Sequence, residues 1–101
     1  MQALKMPVKT AKFKLDGDYA GFEFVARTNF PISYAEDFQA GDVSLLILRF
    51  SDIVKSWNFP DENGESLGDP SDVEVMGKVP SDLISLMAEL IVNSTMTVPN
   101  A

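Results

Sequence analysis

The sequence contains no cysteine and no histidine. The first absence excludes disulfide bonds, thiolate metal ligands and cysteine nucleophiles. The second removes the usual general base near neutral pH, and the two together exclude zinc sites built from these residue types. We therefore expect a protein that is not an enzyme and that holds no cofactor and no metal.

Basic residues are also few, since eight Lys and Arg stand against fifteen Asp and Glu and the formal net charge at pH 7 is −7. Nucleic-acid binding needs clustered basic side chains that displace counterions, so we expect no nucleic-acid partner. The sequence has no apolar run of the roughly 20 residues that a transmembrane helix requires, and it does not open with a signal-peptide pattern. These absences predict a protein of the cytoplasm without a membrane partner.

The charge is distributed unevenly along the chain. From Asn58 onward eight acidic residues stand against Lys78 alone, whereas four lysines give the first fifteen residues a charge of +4: Lys5, Lys9, Lys12 and Lys14. Such lysines are typical of the solvent face of an edge strand. They could equally form an electrostatic contact with a partner or a neighbouring subunit, and the sequence leaves both interpretations open.

The first third of the chain predicts a β-hairpin. Apolar and polar residues alternate in Lys12–Leu15 and again in Tyr19–Thr28, on either side of the turn signal Asp16–Asp18. The predicted inward-facing residues are Phe13, Leu15, Phe22, Phe24 and Ala26. Because a two-stranded hairpin is marginal by itself, it must pack against helices.

Helical patterns fill the remainder of the chain. We predict a short helix from Tyr34 to about Ala40, begun by a Ser33/Glu36 capping box and ended by Gly41. Asp42 then caps a longer helix that runs to Trp57. Its apolar residues recur at steps of three and four: Val43, Leu46, Ile47, Phe50, Val54 and Trp57.

Two further helices follow an acidic loop, Asp61–Ser66. Ser71 with Glu74 predicts a capping box for a short helix that ends at Gly77, and Ser81 is the expected N-cap of a last helix from Asp82 to about Asn93. The fold class that follows is α+β, with an N-terminal β-hairpin packed on three to four α-helices in a single small domain. We expect an ordered core at about 10–94 and a flexible tail at about 95–101.

The carboxylate pairs have simple structural explanations. Glu36/Asp37, Asp61/Glu62 and Asp72/Glu74 each lie at a helix start or a turn, where anions favour the helix dipole. Asp61, Asn63 and Glu65 have the spacing of the first ligands of a calcium-binding loop. However, the glycine comes at the fourth position and Pro70 interrupts the loop, so we attribute the spacing to chance.

Protein binding is the remaining class of function. Trp57, the one tryptophan, either closes the core or anchors an interface, because tryptophan is enriched at binding hot spots. The Asp42–Trp57 helix is apolar over more than half of its circumference, which suits either a central position or a shared surface. The predicted partner-binding residues are Leu45, Leu48, Trp57, Phe59, Asp61 and Glu62.

A Trp-Asn pair follows an apolar helix and precedes an Asp-Glu-x-Gly turn, and a Val-Pro-x-Asp-Leu sequence opens the last helix. These motifs resemble those of the tail assembly chaperones of long-tailed, siphovirus-like bacteriophages. The residues that carry the resemblance are Trp57–Leu67, Val79–Leu83, Gly21–Glu23 and Arg27-x-Asn29, within a span from about Phe13 to Ile91. The Gly68–Pro70 stretch departs from the family pattern.

The resemblance implies a non-catalytic chaperone that binds the aggregation-prone tape measure protein in the host cytoplasm and assists assembly of the tail tube. Such proteins are absent from the mature virion. In many relatives a programmed frameshift adds an extension that contacts the tail tube protein. The sequence leaves self-association open, and two alternatives remain: a structural tail or connector protein of the virion, and an acidic module that inhibits a host protein.

Overall fold

The computed structural model describes residues 3–95, and of Thr95 the backbone only. In this part of the chain three strands, one 3-10 turn and four α-helices follow one another in the order β1 (Thr10–Lys14), 3-10 turn (Gly17–Tyr19), β2 (Glu23–Arg27), α1 (Ile32–Ala40), α2 (Val43–Ile53), β3 (Val54–Trp57), α3 (Val73–Met76) and α4 (Ser81–Thr95). The sheet is antiparallel with strand order β1-β2-β3. The predicted fold class, a single small α+β domain, is confirmed.

The hairpin formed by β1 and β2 matches the prediction. Phe13 pairs with Phe24, and their stacked ring centroids lie 5.1 Å apart on the buried face. The connection is longer than a tight two-residue turn, because the 3-10 turn lies between Leu15 and Phe22, which are joined by a hydrogen bond from the Leu15 N–H to the Phe22 carbonyl at 2.9 Å. Gly17 enters this turn with φ of 68°, a left-handed conformation that glycine adopts without a steric penalty.

The predicted helix from Asp42 to Trp57 is wrong in its last turn. The helix α2 ends at Ile53, and the chain continues directly into β3, which pairs with β2 through Phe24–Trp57 and Val25–Ser56. Helical periodicity placed Val54 and Trp57 on the apolar stripe, but both are also strong strand formers. The free edge of β2 decides between the two patterns, because a third strand completes a sheet that would be marginal with two.

Both of the predicted capping boxes are wrong. The helix α1 begins at Ile32 after Pro31, whose carbonyl accepts the Tyr34 N–H at 2.9 Å, and no side chain caps it, so Ser33 is not its cap. The cap of α3 is Asp72, which accepts from the Glu74 N–H at 2.9 Å. In both cases another residue with suitable backbone geometry precedes the first helical turn, and it takes the cap position.

The predicted junction of α1 and α2 agrees with the structure, and the predicted start of the last helix differs by one residue. Gly41 ends α1 in the left-handed conformation, with φ of 75°. Asp42 caps α2 by accepting from the N–H groups of Ser44 at 3.0 Å and Leu45 at 3.4 Å. The last helix was expected from Asp82 and starts one residue earlier, with Ser81 as its first residue rather than its cap.

The core lies between one face of the sheet and the helices. Eleven of its large apolar side chains come from the strands, the helices and the segment after β3: Phe13, Phe24, Phe38, Phe50, Ile53, Phe59, Met76, Leu83, Ile84, Met87 and Ile91. None of the helices in residues 3–95 combines the length and the hydrophobicity needed to cross a bilayer. Residues 96–101 of the expected C-terminal tail lie outside the described part of the chain.

Candidate functional site

The acidic loop after β3 is a tight hairpin of its own, Phe59–Leu67. The Leu67 N–H donates to the Phe59 carbonyl at 3.0 Å, and the Asp61 N–H donates to the Glu65 carbonyl at 2.6 Å. One carboxylate oxygen of Asp61 accepts the N–H groups of Asn63 at 2.8 Å and Glu65 at 3.0 Å. This carboxylate therefore orders the hairpin, and within residues 3–95 no three acidic side chains form a group that could hold a metal ion.

Phe59 anchors this hairpin to the core. Its side chain is 2% exposed and stacks on Trp57 with ring centroids 4.6 Å apart. Phe22 contacts it from the β2 side at 5.5 Å, and Phe24 contacts it edge-on at 6.2 Å. Phe59 was predicted to bind a partner. Its side chain lies in the core, and only its edge can reach the surface.

The stretch Gly68–Pro70, for which the sequence offered no role, supports Trp57. The Trp57 Nε1–H donates to the Gly68 carbonyl at 2.8 Å, which pairs the one polar atom of a half-buried indole. Asp69 then accepts from both the N–H and the hydroxyl of Ser71, at 2.9 and 2.8 Å. These bonds, the backbone one first, lower the pKa of Asp69 below its ordinary value.

A groove of about 350 Å³ lies between the Phe59–Leu67 hairpin and the start of α4. Its lining is mainly apolar or aromatic, with two acidic residues and one lysine at the rim: Tyr19, Phe22, Phe59, Pro60, Asp61, Glu62, Leu67, Lys78, Pro80 and Leu83. Pockets that hold whole ligands span roughly 300–1,000 Å³. A groove at the lower end of that range suits a few side chains of a protein partner.

The surroundings of the groove are acidic. The Tyr19 hydroxyl donates to the carboxylate of Asp82 with distances of 2.8 and 2.9 Å to its two oxygens, which ties the 3-10 turn to the first turn of α4. This hydrogen bond, together with burial and the charges of Asp82 and Asp18, raises the pKa of Tyr19. Asp61 and Glu62 add to the same negative side of the molecule.

The structure separates the six predicted partner-binding residues into two groups. Phe59, Asp61 and Glu62 line the groove. Leu48 is 50% exposed on α2, and Leu45 lies half-buried one turn earlier. Neither α2 residue lines the groove, and Trp57, the sixth of the set, stacks on Phe59 and does not line the groove either.

The groove also includes residues that sequence analysis did not name as site residues. Tyr19, Leu67, Lys78, Pro80 and Leu83 come from three separate stretches of the chain. Periodicity predicted Leu83 as a core residue. The Leu83 side chain is 2% exposed, so only its edge reaches the groove. The one available signal was that several of these residues belong to the motifs quoted above for the family resemblance.

Two asparagines from those motifs act within the fold. The Asn58 amide accepts from the Glu23 N–H at 2.8 Å and donates to the Gly21 carbonyl at 3.0 Å, which extends the contact of β3 with β2. Asn29 accepts from the Lys9 N–H at 3.0 Å and donates to the Pro7 carbonyl at 2.6 Å. These motif positions are therefore explained by folding, and they do not face the groove.

A second polar cluster joins α1 to α2. The Arg49 Nε–H donates to the Asp37 carboxylate at 2.7 Å while its guanidinium lies 4.3 Å from the centroid of the Tyr34 ring. The Tyr34 hydroxyl donates to Asp52 at 2.6 Å, and this bond is the main reason that the pKa of Tyr34 is raised. The cluster clamps the two helices together, which accounts for the positions of its four side chains.

In comparisons with known proteins, the chain matches no family model, no curated protein and no solved structure. The resemblance to tail assembly chaperones is therefore still a prediction that depends on the motifs alone. The same applies to the expected absence of catalysis and to the expected partners.

Proposed function

We propose that the protein is a tail assembly chaperone of a long-tailed bacteriophage and that its groove holds an apolar segment of the tape measure protein. One observation carries the proposal. The stretches that resemble the family, around Phe22, in Trp57–Leu67 and in Val79–Leu83, are far apart in sequence and line the same groove. Asp61, Glu62 and Leu67 are motif residues that the core does not bury, and they lie together at this opening.

The chemistry of the groove fits such a client. Phe22 and Leu67 are partly buried and leave apolar surface at the opening, while Asp61 and Glu62 stand at the rim. A client helix that inserts apolar side chains and places lysines or arginines beside the rim would match both features. The net charge of −7 keeps the complex of chaperone and client soluble.

The decisive experiment is co-expression with the tape measure protein from the same genome. We expect a larger soluble fraction of the client and co-purification of the two proteins. The groove variant Leu67→Asp should abolish both effects, whereas the matched variant Leu48→Asp, which adds the same charge on α2 outside the groove, should leave them unchanged. Circular dichroism melting of both variants shows whether each remains folded.

The other outcomes of the co-expression experiment distinguish between the alternatives. No gain in client solubility and no co-purification with the wild-type chain would refute the proposal. Loss of binding with Leu48→Asp but not with Leu67→Asp would move the binding surface to α2. A longer, frameshifted product that binds the tail tube protein would add the second partner that the family resemblance implies.

The location of the protein gives a second test. A chaperone should be present in the host cytoplasm and missing when purified phage particles are analysed by mass spectrometry. Detection in stoichiometric amounts in particles would instead indicate a structural tail or connector protein. A salt-sensitive complex with a basic host protein, without any effect on the client, would indicate an acidic inhibitor.

A further inference from the structure

Residues 3–9, called the arm below, precede β1 and form no helix or strand. Leu4 is fully exposed, Met6 is 78% exposed and Val8 is 58% exposed. The three residues are spaced two apart, which is the spacing that places side chains on one edge of an extended backbone, and Lys5 and Lys9 have the opposite parity. Three large apolar side chains in water on one short segment mark a contact that the single chain does not provide.

The arm is held at the end of the sheet that lies away from the groove. Asn29 binds the backbone of Pro7 and Lys9, and Lys9 also accepts from the Thr28 N–H at 2.7 Å. The other end of the same hairpin, where Leu15 meets Phe22 beside the groove, is six residues along the strand from Lys9. Six residues of strand span about 20 Å.

The arm cannot reach the groove of its own chain. Leu4 lies three residues before the anchored Pro7, which gives it a reach of at most about 10 Å. Met6 is adjacent to the anchor and has less freedom still. If these side chains enter this groove, they enter the groove of another copy of the protein.

The charges of the arm and the groove are complementary. The arm carries +2, from Lys5 and Lys9, and contains no acidic residue, whereas the whole chain carries −7. Asp61 and Glu62 stand at the groove rim beside a single lysine, Lys78, in the described lining. An apolar edge flanked by lysines thus fits an apolar floor flanked by carboxylates.

We propose that the arm of one copy docks in the groove of a second copy, with Leu4 and Met6 in the groove and Lys5 beside Glu62. The two surfaces are different parts of the chain, so the contact is head-to-tail and continues into rings or chains of subunits. The self-contact needs no client. The further consequence, that a client must displace the arm to enter the groove, rests on the proposed function.

The test is the molar mass of the purified protein by light scattering after size exclusion, across a concentration series. The wild type should rise above the monomer mass with concentration. The arm variant Leu4→Asp/Met6→Asp and the groove variant Leu67→Asp should each stay monomeric. Their mixture should form a one-to-one dimer that grows no further, because one partner keeps an intact groove and the other an intact arm.

A charge exchange tests the same contact without altering the apolar lining. Lys5→Glu and Glu62→Lys should each weaken assembly, and the double variant should recover it, since the pair is restored with reversed signs. Both positions are exposed, so the fold should tolerate these changes. A wild type that stays monomeric, a mixture that forms no dimer, or an arm variant with the wild-type mass would overturn the proposal.

These measurements are separable from the client assay. If the arm variant is monomeric and still solubilises the tape measure protein, both proposals stand. If the tape measure protein is not bound at all, the mass measurements decide the self-contact by themselves. Release of monomers from wild-type assemblies upon addition of the client would be the expected sign of competition for the groove.

Discussion

The indole Nε1–H of Trp57 donates to the carbonyl oxygen of Gly68 at 2.8 Å. Trp57 and Gly68 flank the Phe59–Leu67 hairpin, and the ring of Phe59 stacks on the same indole. The tryptophan thereby fixes the hairpin at both ends, through a ring contact at its start and a hydrogen bond just after its end. The position of the Phe59–Leu67 hairpin, and with it one wall of the groove, depends on this pair.

Gly68 should tolerate no side chain. Its φ of 128° is a conformation confined almost entirely to glycine, and a Cβ added there would lie 3.0 Å from the Cγ2 of Val75. We expect Gly68→Ala to lower the free energy of unfolding by about 2–4 kcal/mol, measured by urea denaturation. Gly64→Ala is the matched control, since φ there is 86° with no atom near the added Cβ, and it should cost only about 1–2 kcal/mol. Equal losses of stability for the two variants would show that the contact between the added Cβ and Val75 does not contribute.

Alanine substitutions at the starts of α1 and α2 should differ in their effect on stability. Asp42→Ala removes an acceptor for the N–H groups of Ser44 and Leu45 and should cost about 0.5–2 kcal/mol of stability. Ser33→Ala, at the position that the capping-box pattern selected for α1, should change the melting temperature little, because no side chain caps that helix. A large loss with Ser33→Ala would contradict the observed start of α1.

The chain contains two tyrosines, and the pKa of each is raised. In both cases the leading cause is the hydrogen bond that the phenol donates to a carboxylate, Asp82 for Tyr19 and Asp52 for Tyr34. Since the protonated phenol makes the bond, its contribution to stability is complete below the tyrosine pKa of the unfolded chain, about 10. It is lost as the pH rises through the higher pKa of the folded state.

This linkage can be followed by the ultraviolet absorbance of the phenolate. We expect both tyrosines of the folded protein to ionise at higher pH than free tyrosine. Asp82→Ala should return the pKa of Tyr19 toward its ordinary value and leave that of Tyr34 raised. A single transition at the free-tyrosine pH in the wild type would contradict both hydrogen bonds.

Alanine substitutions at Phe59 and Leu48 should distinguish a core residue from a surface residue by their effect on the free energy of unfolding. Phe59 is 2% exposed and contacts three aromatic rings, so Phe59→Ala should lower the free energy of unfolding by about 3–5 kcal/mol. Leu48→Ala, at a half-exposed position of α2, should change it by less than about 0.5 kcal/mol. The comparison requires only denaturation curves, and a small loss of stability for Phe59→Ala would contradict its role as the core anchor of the Phe59–Leu67 hairpin.

Local patterns sufficed for part of this fold. Alternation placed Phe13 and Phe24 on one buried face, and Gly41 and Asp42 marked the junction of two helices. The same local patterns failed at Val54, because a valine after Phe50 satisfies a helical stripe and a strand equally well. The pairing partner in β2 lies some thirty positions earlier in the chain, and such distant pairing is not encoded in the local period.

The candidate site was harder to predict than the fold. Asp61 and Glu62 were identified from the acidic loop, and they do line the groove. Leu67 and Leu83, however, acquire their roles only when the Phe59–Leu67 hairpin lies against α4. Nothing in the spacing of either residue indicates that meeting, so the geometry of the groove requires the assembled structure.

The dispersed origin of the groove lining also has a consequence for timing on the ribosome. Phe22 is synthesised early, Leu67 much later and Leu83 close to the end of the sequence. A nascent chain has no complete groove until α4 has left the exit tunnel and packed against the earlier elements. The lining that the proposed contacts with a client or a second copy require is therefore incomplete until α4 has been synthesised and has folded.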